Sequence, residues 1–184
     1  VHDVEMRSII LAKGIDDRFP EEVHKEAEVQ AARLIEETDI ASRTDFRLET
    51  TFTIDPADAK DFDDAISVTL RPDGGAKIGI HIADVSHYVL PGSKLDVEAL
   101  KRAFSTYLVD RTIPMLPEVL SNGICSLGPD VDRLTFSVWL DVSKDGAFSS
   151  PSFGRTIIHS DKRFTYEEAQ AVLDAEAGAH FEEL

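Results

Sequence analysis

Four aspartates lie close together between residues 55 and 64. They are Asp55, Asp61, Asp63 and Asp64, and they follow the pattern D-x5-D-x-D-D. Two unit charges about 4 Å apart repel by about 4 kcal/mol at an effective dielectric of about 20, so such a cluster needs a compensating cation. All-oxygen ligand sets suit hard divalent ions. The spacing therefore predicts a metal site, with Mg²⁺ as the expected ion and Mn²⁺ as its substitute.

Two other interpretations of the acidic run compete with a catalytic metal site. Aspartate is common in solvated turns, and this interpretation stays open, although apolar residues flank the acids. An EF-hand calcium loop needs glycine at its sixth position and glutamate at its twelfth. Counted from Asp61, those positions hold Ile66 and Pro72. Counted from Asp55, they hold Lys60 and Ile66, so the sequence excludes an EF-hand loop.

The segments around the acids predict a loop held by a sheet. Residues 51–54 and 65–70 are rich in β-branched and apolar side chains, which predicts a strand on each side of the loop. The turn sequence Asp73-Gly74-Gly75 predicts that a third strand, over residues 77–85, pairs with the second. Functional residues often lie on loops that a rigid scaffold positions.

The rest of the chain mixes helical and strand patterns. Apolar spacing predicts a helix that begins at Pro20 and runs to a linker over 38–45. Capping-box patterns predict further helix starts at Ser93 and Thr165. We also expect a short helix over 118–121 and strands over 134–142 and 148–158. The predicted fold class is α+β (mixed α/β), with antiparallel hairpins and packed helices.

Composition limits the class of protein. The chain has 184 residues and is 42% hydrophobic, which is enough for a core. Its net charge of −16 argues against nucleic acid as a partner, because phosphates are usually bound by a basic surface. Much of this charge, however, lies in the opening helical region and in the acid loop. The single cysteine, Cys125, excludes an internal disulfide and fits a reducing cytoplasm. No apolar run approaches 18 residues, so we expect no membrane partner.

His81, Asp84 and His87 suggest a zinc site at first sight. Alternation along a strand would place the two histidines on one face and Asp84 on the other. No third nitrogen or sulfur ligand follows at a zinc-like interval. Packing within the strand is the better explanation. Arg111, Arg133 and Arg163 could contact phosphate, but surface arginines are usually just solvated.

Several motifs together resemble one family. The run TIDPADAKDFDDAISV, then HIADVSHYV at 81–89, then DRTIPMLPEVLSNGICSLGP at 110–129 resemble the signature of the ribonuclease II/R (RNB) family of exoribonucleases. A weaker match, TIIHSDKRFTYEEA, follows at 156–169. The resemblance is closest to the ribonuclease R branch. It divides the chain into a helical segment, 1–48, and the N-terminal part of an RNB catalytic domain, 49–184.

The resemblance implies a function and a set of site residues. The function is Mg²⁺-dependent, hydrolytic 3′→5′ degradation of single-stranded RNA to nucleoside 5′-monophosphates, with one or two ions bound. The four aspartates would be the catalytic and metal-binding residues, and Asp63 would be essential for cleavage. Tyr107 would stack on a base near the RNA 3′ end, and Tyr166 would be a second contact to the terminal nucleotide.

The resemblance also implies that the chain continues at both ends. Family members are several times longer, with cold-shock-type domains before the catalytic domain and an S1-type domain after it. A further catalytic arginine would lie past Leu184, so residues 1–184 alone are expected to cleave poorly or not at all. Two alternatives stay open: an RNB-like RNA-binding or regulatory module without catalysis, and a metal-dependent hydrolase of small phosphoesters. The complete set of four acids favours the nuclease.

Overall fold

Two β-sheets organise residues 2–174, the part of the chain that this computed structural model describes. The nine strands in that part are Thr44–Asp45 (β1), Thr51–Asp55 (β2), Asp64–Leu70 (β3), Ala76–Ala83 (β4), Thr106–Tyr107 (β5), Thr112–Ile113 (β6), Asp132–Val142 (β7), Ser152–His159 (β8) and Lys162–Thr165 (β9). The larger sheet has the order β1-β8-β7-β4-β3-β2-β9, and β5 and β6 form the smaller one. Each of the two edge strands runs parallel to its neighbour, β1 to β8 and β9 to β2. The inner strand pairs are antiparallel. The sheet is therefore mixed, and the α+β class is confirmed.

Helices precede the first strand and occur again later in the chain. The α-helices in the described residues are His2–Ala12 (α1), Glu21–Ala31 (α2), Glu37–Ala41 (α3), Lys94–Arg102 (α4) and Tyr166–Leu173 (α5). At the start of α4, the hydroxyl of Ser93 accepts a hydrogen bond from the Asp96 backbone N–H. At the start of α5, Thr165 and Glu168 form the complete reciprocal capping box. Such a cap contributes about 1 kcal/mol to a helix.

The core lies between the larger sheet and helices α2 and α4. Ala27 of α2 and Leu95 of α4 are fully buried, and so are Leu120 and Leu127 from the segment that leads into β7. Burying a leucine side chain stabilises a fold by about 1.5–3 kcal/mol. This packing holds the sheet, and with it the ends of β2 and β3 that carry the acids.

A polar network runs through the centre of the sheet. His81 is fully buried, and its two ring nitrogens lie 2.8 Å from the hydroxyl of Ser67 and 2.7 Å from that of Ser137. Burial lowers the pKa of His81 to about 4, so the ring is neutral at pH 7. Gly79 makes room for it, because a Cβ there would lie 2.4 Å from the Ser67 hydroxyl. The prediction that His81 packs within the sheet is confirmed.

Three predicted elements differ from the observed ones. The helix after Pro20 ends at Ala31, and the expected linker over 38–45 instead contains α3 and β1. The reason is tertiary pairing: Thr44 lies opposite Thr156 of β8 in a parallel ladder. The expected short helix does begin at Glu118, but it continues as a π-helical turn over Leu120–Ile124. The strand expected from residue 148 begins only at Ser152.

The Ser93 capping box is only half formed. The Asp96 carboxylate accepts from the Gly92 backbone N–H at 2.8 Å rather than from Ser93.

Cys125 is buried and unpaired, as a structural thiol would be. Among the residues that the structure describes, no helix has the length and apolar character needed to cross a membrane.

Candidate active site

The acid loop, residues 56–63, connects two neighbouring antiparallel strands. β2 ends at Asp55 and β3 begins at Asp64, with Phe52 opposite Ile66 in the ladder between them. Both strands are short and rich in β-branched residues, which explains why the acids fall at the strand ends. The strand pairing therefore brings the first and last of the four aspartates to the same end of the sheet.

Contacts from distant segments fix the acid loop. The hydroxyl of Ser126 donates to the Lys60 carbonyl at 2.8 Å and accepts from the Phe62 N–H at 3.1 Å. The Leu127 N–H donates to the Phe62 carbonyl at 2.9 Å. One guanidinium nitrogen of Arg163 donates to the carbonyls of residues 56 and 57. Four of the eight loop residues, 56, 57, 60 and 62, are thus hydrogen-bonded through their backbone to β9 or to the segment before β7.

The four acids differ in exposure. Asp55 is only 9% exposed, and its Oδ2 is buried without a hydrogen-bond partner among the described residues. Asp61 is half-buried, whereas Asp63 and Asp64 reach solvent. A buried carboxylate oxygen without a hydrogen bond is costly, so a cation beside Asp55 would be stabilising.

The acids also repel one another. Burial raises the pKa of Asp55 above its ordinary value, and the charges of Asp64 and Asp61 raise it further, while the Thr53 hydroxyl and the charge of Arg163 offset part of the effect. Although the Asp63 side chain reaches solvent, the protein packed around it removes part of its hydration and raises its pKa, and the charges of the other three acids raise it further. The cluster therefore acts as one electrostatic group with excess negative charge.

These side chains suit a hard divalent cation. Their donors are carboxylate oxygens, one of them is unsatisfied, and positive charge would relieve the repulsion. Within residues 2–174, no group of three or more His, Cys, Asp or Glu side chains is arranged so that it could hold a metal ion by itself. Mg²⁺ usually binds one or two carboxylates and takes its other ligands from water and substrate phosphates. The residues fit such a shared site, and the four-aspartate ligand set stays a prediction.

A cavity of about 500 Å³ opens beside Asp61. Its lining includes Lys60, Tyr107 and Arg111. The Tyr107 hydroxyl donates to Oδ2 of Asp61 at 3.3 Å, and the tyrosine is 69% exposed. The ring of Tyr107 is thus available to a ligand, and its hydroxyl contacts an acid of the cluster.

Tyr166 lies near the other end of the cluster. β2 and β9 run in parallel with Asp55 opposite Thr165, and Tyr166 follows as the first residue of α5. Its side chain is 57% exposed. Tyr166 therefore directly follows the residue that pairs with Asp55, and its role as an RNA contact stays a prediction.

The remaining polar residues singled out in the sequence have structural partners. Asp84 forms an ion pair with Arg43 at 2.6 Å, and His87 lies 3.6 Å from Asp39. His81, Asp84 and His87 therefore do not form a zinc site. Arg111 pairs with Asp3 and Asp110.

Sequence reasoning missed Ser126 and underestimated Arg163. Both contact the acid loop across more than sixty residues of sequence. No local pattern identifies such a contact. The only signal was that both residues lie inside motifs shared with the family.

Comparison with known proteins identifies the family. The family model described as "RNB domain" matches residues 43–183. Ribonuclease R of Thermotoga maritima is 47% identical over 173 residues, which are 93% of this chain and 24% of that protein. The chain belongs to the RNB-domain family, and it spans about a quarter of the length of the curated relatives that it matches.

Solved structures agree with this assignment. A structure of Mycoplasma genitalium RNase R in complex with ribose-methylated single-stranded RNA superposes with a TM-score of 0.86 at 30% identity, covering 95% of this chain and 27% of that one. Yeast Ssd1, described as a pseudonuclease, covers 80% of this chain and 18% of its own with a TM-score of 0.68 at 20% identity. That second likeness concerns the fold alone. The division at residues 48 and 49 stays a prediction, although β1 already lies in the sheet.

Proposed function

We propose that the intact protein is a Mg²⁺-dependent, hydrolytic 3′→5′ exoribonuclease that releases nucleoside 5′-monophosphates from single-stranded RNA. The observation that carries this proposal is the acid cluster: four aspartates on an RNB fold with a buried, unsatisfied Asp55 oxygen and mutual repulsion. A sheet edge built for packing alone would not retain this unfavourable charge. Relatives with the name Ribonuclease R support the reaction class.

Asp55, Asp61, Asp63 and Asp64 would hold the ion or ions. Bound Mg²⁺ would supply a polarised water and stabilise the leaving oxygen of the phosphodiester. Hydrogen bonds at residues 56, 57, 60 and 62 fix the backbone of the acid loop. Because aspartate side chains are short, a fixed backbone also fixes where their carboxylates lie. Mn²⁺, which accepts the same hard oxygen ligands, is the expected substitute.

Tyr107 would contact the RNA. Base–aromatic stacking contributes about 1–3 kcal/mol per base and is tolerant of sequence, which suits an enzyme that degrades RNA without base preference. The exposed ring beside the 500 Å³ cavity supports this role. Tyr166, exposed near Asp55, is proposed as a second contact to the RNA 3′ end.

The surrounding protein and its location are also proposed. Cold-shock-type and S1-type domains would flank this chain and supply the basic surface that the acidic domain lacks. The buried thiol of Cys125 is compatible with a cytoplasmic enzyme.

A catalytically inactive RNB-like module is the alternative. The likeness to a protein described as a pseudonuclease means that the fold does not decide between the two. The presence of all four acids at one edge of the sheet favours the enzyme.

Asp63→Asn in the intact protein tests the proposal. Loss of one preorganised charge at a reacting centre costs about 10²–10³-fold in rate, and we expect at least that loss in release of mononucleotides from single-stranded RNA. RNA affinity, measured by fluorescence anisotropy, should change little. Asp145→Asn, in the exposed turn between β7 and β8, is the matched control and should cleave like the wild type.

Two outcomes would contradict the proposal. One is wild-type turnover by Asp63→Asn. The other is cleavage by the wild type that does not respond to Mg²⁺ titration. Faster hydrolysis of a simple phosphodiester than of oligonucleotide RNA would favour a small-phosphoester hydrolase instead.

A further inference from the structure

Arg163 of β9 holds the first half of the acid loop. One of its terminal nitrogens, Nη2, donates to the Pro56 carbonyl at 2.6 Å and to the Ala57 carbonyl at 2.9 Å. Its guanidinium carbon also lies 5.2 Å from the centre of the Phe62 ring. A single side chain thus contacts both ends of the loop that carries Asp61.

Register explains why β9 can make these contacts. Arg163 lies opposite Thr53 in the parallel ladder between β2 and β9, two residues before Asp55. From that position the long side chain reaches the carbonyls that directly follow Asp55. A shorter cation could not contact two carbonyls and an aromatic ring at once.

Arg163 acts by hydrogen bonding more than by neutralising charge. Among the described residues it forms no ion pair within 4.0 Å, although its charge does lower the pKa of Asp55 and of Glu168. Its guanidinium is instead bound to neutral backbone carbonyls. Such contacts fix where the loop lies and therefore where its carboxylates point.

Ser126 does the same for the second half of the loop, without any charge. Its hydroxyl donates to the Lys60 carbonyl and accepts from the Phe62 N–H, so it spans Asp61 on both sides. Ser126 is only 4% exposed, so no solvent competes for these bonds.

We propose that Arg163 and Ser126 are positioning residues for the metal site, holding the acid loop so that Asp55 and Asp61 converge on the ion. This proposal rests on the proposed function for its metal. Groups that hold metal ligands in place by hydrogen bonds, without binding the metal, typically contribute about 10–100-fold to metal affinity. Neither residue is proposed as a metal ligand, because the hydrogen bonds of both side chains go to the loop backbone.

The test is Mg²⁺ binding by calorimetry to the intact, initially metal-free protein, with the variants Arg163→Lys and Ser126→Ala. Lysine keeps the positive charge, but its shorter side chain lacks the planar guanidinium that lies over the Phe62 ring and places Nη2 between the two carbonyls. Alanine at position 126 removes two hydrogen bonds without changing charge. Each variant should raise the Kd for Mg²⁺ about tenfold or more. Affinity for RNA in the absence of metal should stay at the wild-type value.

Two matched controls lie at the opposite end of the sheet. The acid loop is joined to the end of β4 through the Ala83 N–H and the Asp63 carbonyl, whereas the start of β4 pairs with Val142. Arg71→Lys and Ser143→Ala alter side chains at that far end. Both controls should bind Mg²⁺ like the wild type.

The outcomes separate positioning from charge and from the function itself. Wild-type Mg²⁺ affinity in Arg163→Lys overturns the proposal, and so does wild-type affinity in Ser126→Ala, which would leave only an electrostatic role for Arg163. Hydrogen exchange at the amides of residues 57–62 should speed up in both variants without metal, and unchanged exchange also counts against the proposal.

If the wild type binds Mg²⁺ but does not cleave RNA, the proposed function fails while the positioning claim stands on binding and exchange. If Arg163→Lys does not fold, Ser126→Ala decides.

Discussion

Two buried aspartates in this domain have opposite surroundings. Asp84 is 4% exposed, and its carboxylate lies 2.6 Å from the guanidinium of Arg43, which is itself buried. Asp55 is 9% exposed, yet one of its oxygens has no partner among the described residues. The two residues have similar burial, and the difference between them is whether the protein supplies the compensating charge.

The pKa values follow this difference. Burial alone would raise the pKa of Asp84, but hydrogen bonds from Ser86 and Arg43 lower it below its ordinary value of 3.8. Burial raises the pKa of Asp55 and its acidic neighbours raise it further, and the opposing effects of Thr53 and Arg163 are too small to reverse this. A carboxylate that the protein neutralises belongs to the structure. A carboxylate whose negative charge the protein does not balance can bind an external cation.

The largest expected effect comes from breaking the compensated pair. Asp84→Asn leaves the Arg43 charge buried and unpaired, and removing one partner of a buried pair costs about 3–5 kcal/mol. The measurement is the free energy of unfolding of the domain from urea denaturation, followed by the fluorescence of Trp139, the only tryptophan in the chain.

The matched control for that variant is an exposed pair. Glu22 lies 3.3 Å from Lys94, and the two side chains are 61% and 62% exposed. Glu22→Gln should cost less than about 1 kcal/mol. Equal losses in Asp84→Asn and Glu22→Gln would show that burial does not distinguish the two ion pairs.

The second expected effect concerns the uncompensated acid. Because repulsion and burial raise the pKa of Asp55, its charge opposes folding above pH 3.8 when no metal is bound. Asp55→Asn should therefore unfold at the same urea concentration as the metal-free wild type, or at a higher one. A ligand at 100 times its Kd stabilises the native state by about 2.7 kcal/mol, so Mg²⁺ should stabilise the wild type and affect the variant much less. Asp145→Asn should keep the full response, and a full response in Asp55→Asn would remove Asp55 from the ligand set.

The sequence predicted the part of the site that is local. The two strands and the acids between them lie within twenty residues, and their hairpin partner follows directly, so spacing and β-branched residues were sufficient. The Thr165 and Glu168 capping box is also a local pattern, and it was confirmed.

What sequence reasoning missed depends on contacts between distant segments. Thr44 and Asp45 look like a linker, and they become a strand only because β8 offers a free edge. Ser126 has no feature that marks it in the sequence, because its partners, Lys60 and Phe62, are brought to it by the fold. Arg163 looked like a solvated arginine for the same reason.

The smallest expected effect is a pH dependence that again separates the two aspartates. Since the pKa of Asp84 in the folded state lies below 3.8, the unfolded state binds its proton first as pH falls, and the stabilisation by Asp84 is full above pH 3.8 and is lost below it. The difference in unfolding free energy between the wild type and Asp84→Asn should therefore stay constant from pH 7 to about pH 5. It should shrink by at most about 0.4 kcal/mol at pH 3.8, where half of the unfolded chains carry the proton. For Asp55 the sign is opposite: the metal-free wild type should gain stability relative to Asp55→Asn as pH falls through the raised pKa, at values above 3.8. Urea unfolding of the three proteins across this pH range checks both signs, and parallel curves for the two variants would mean that the two carboxylates do not differ in their compensation.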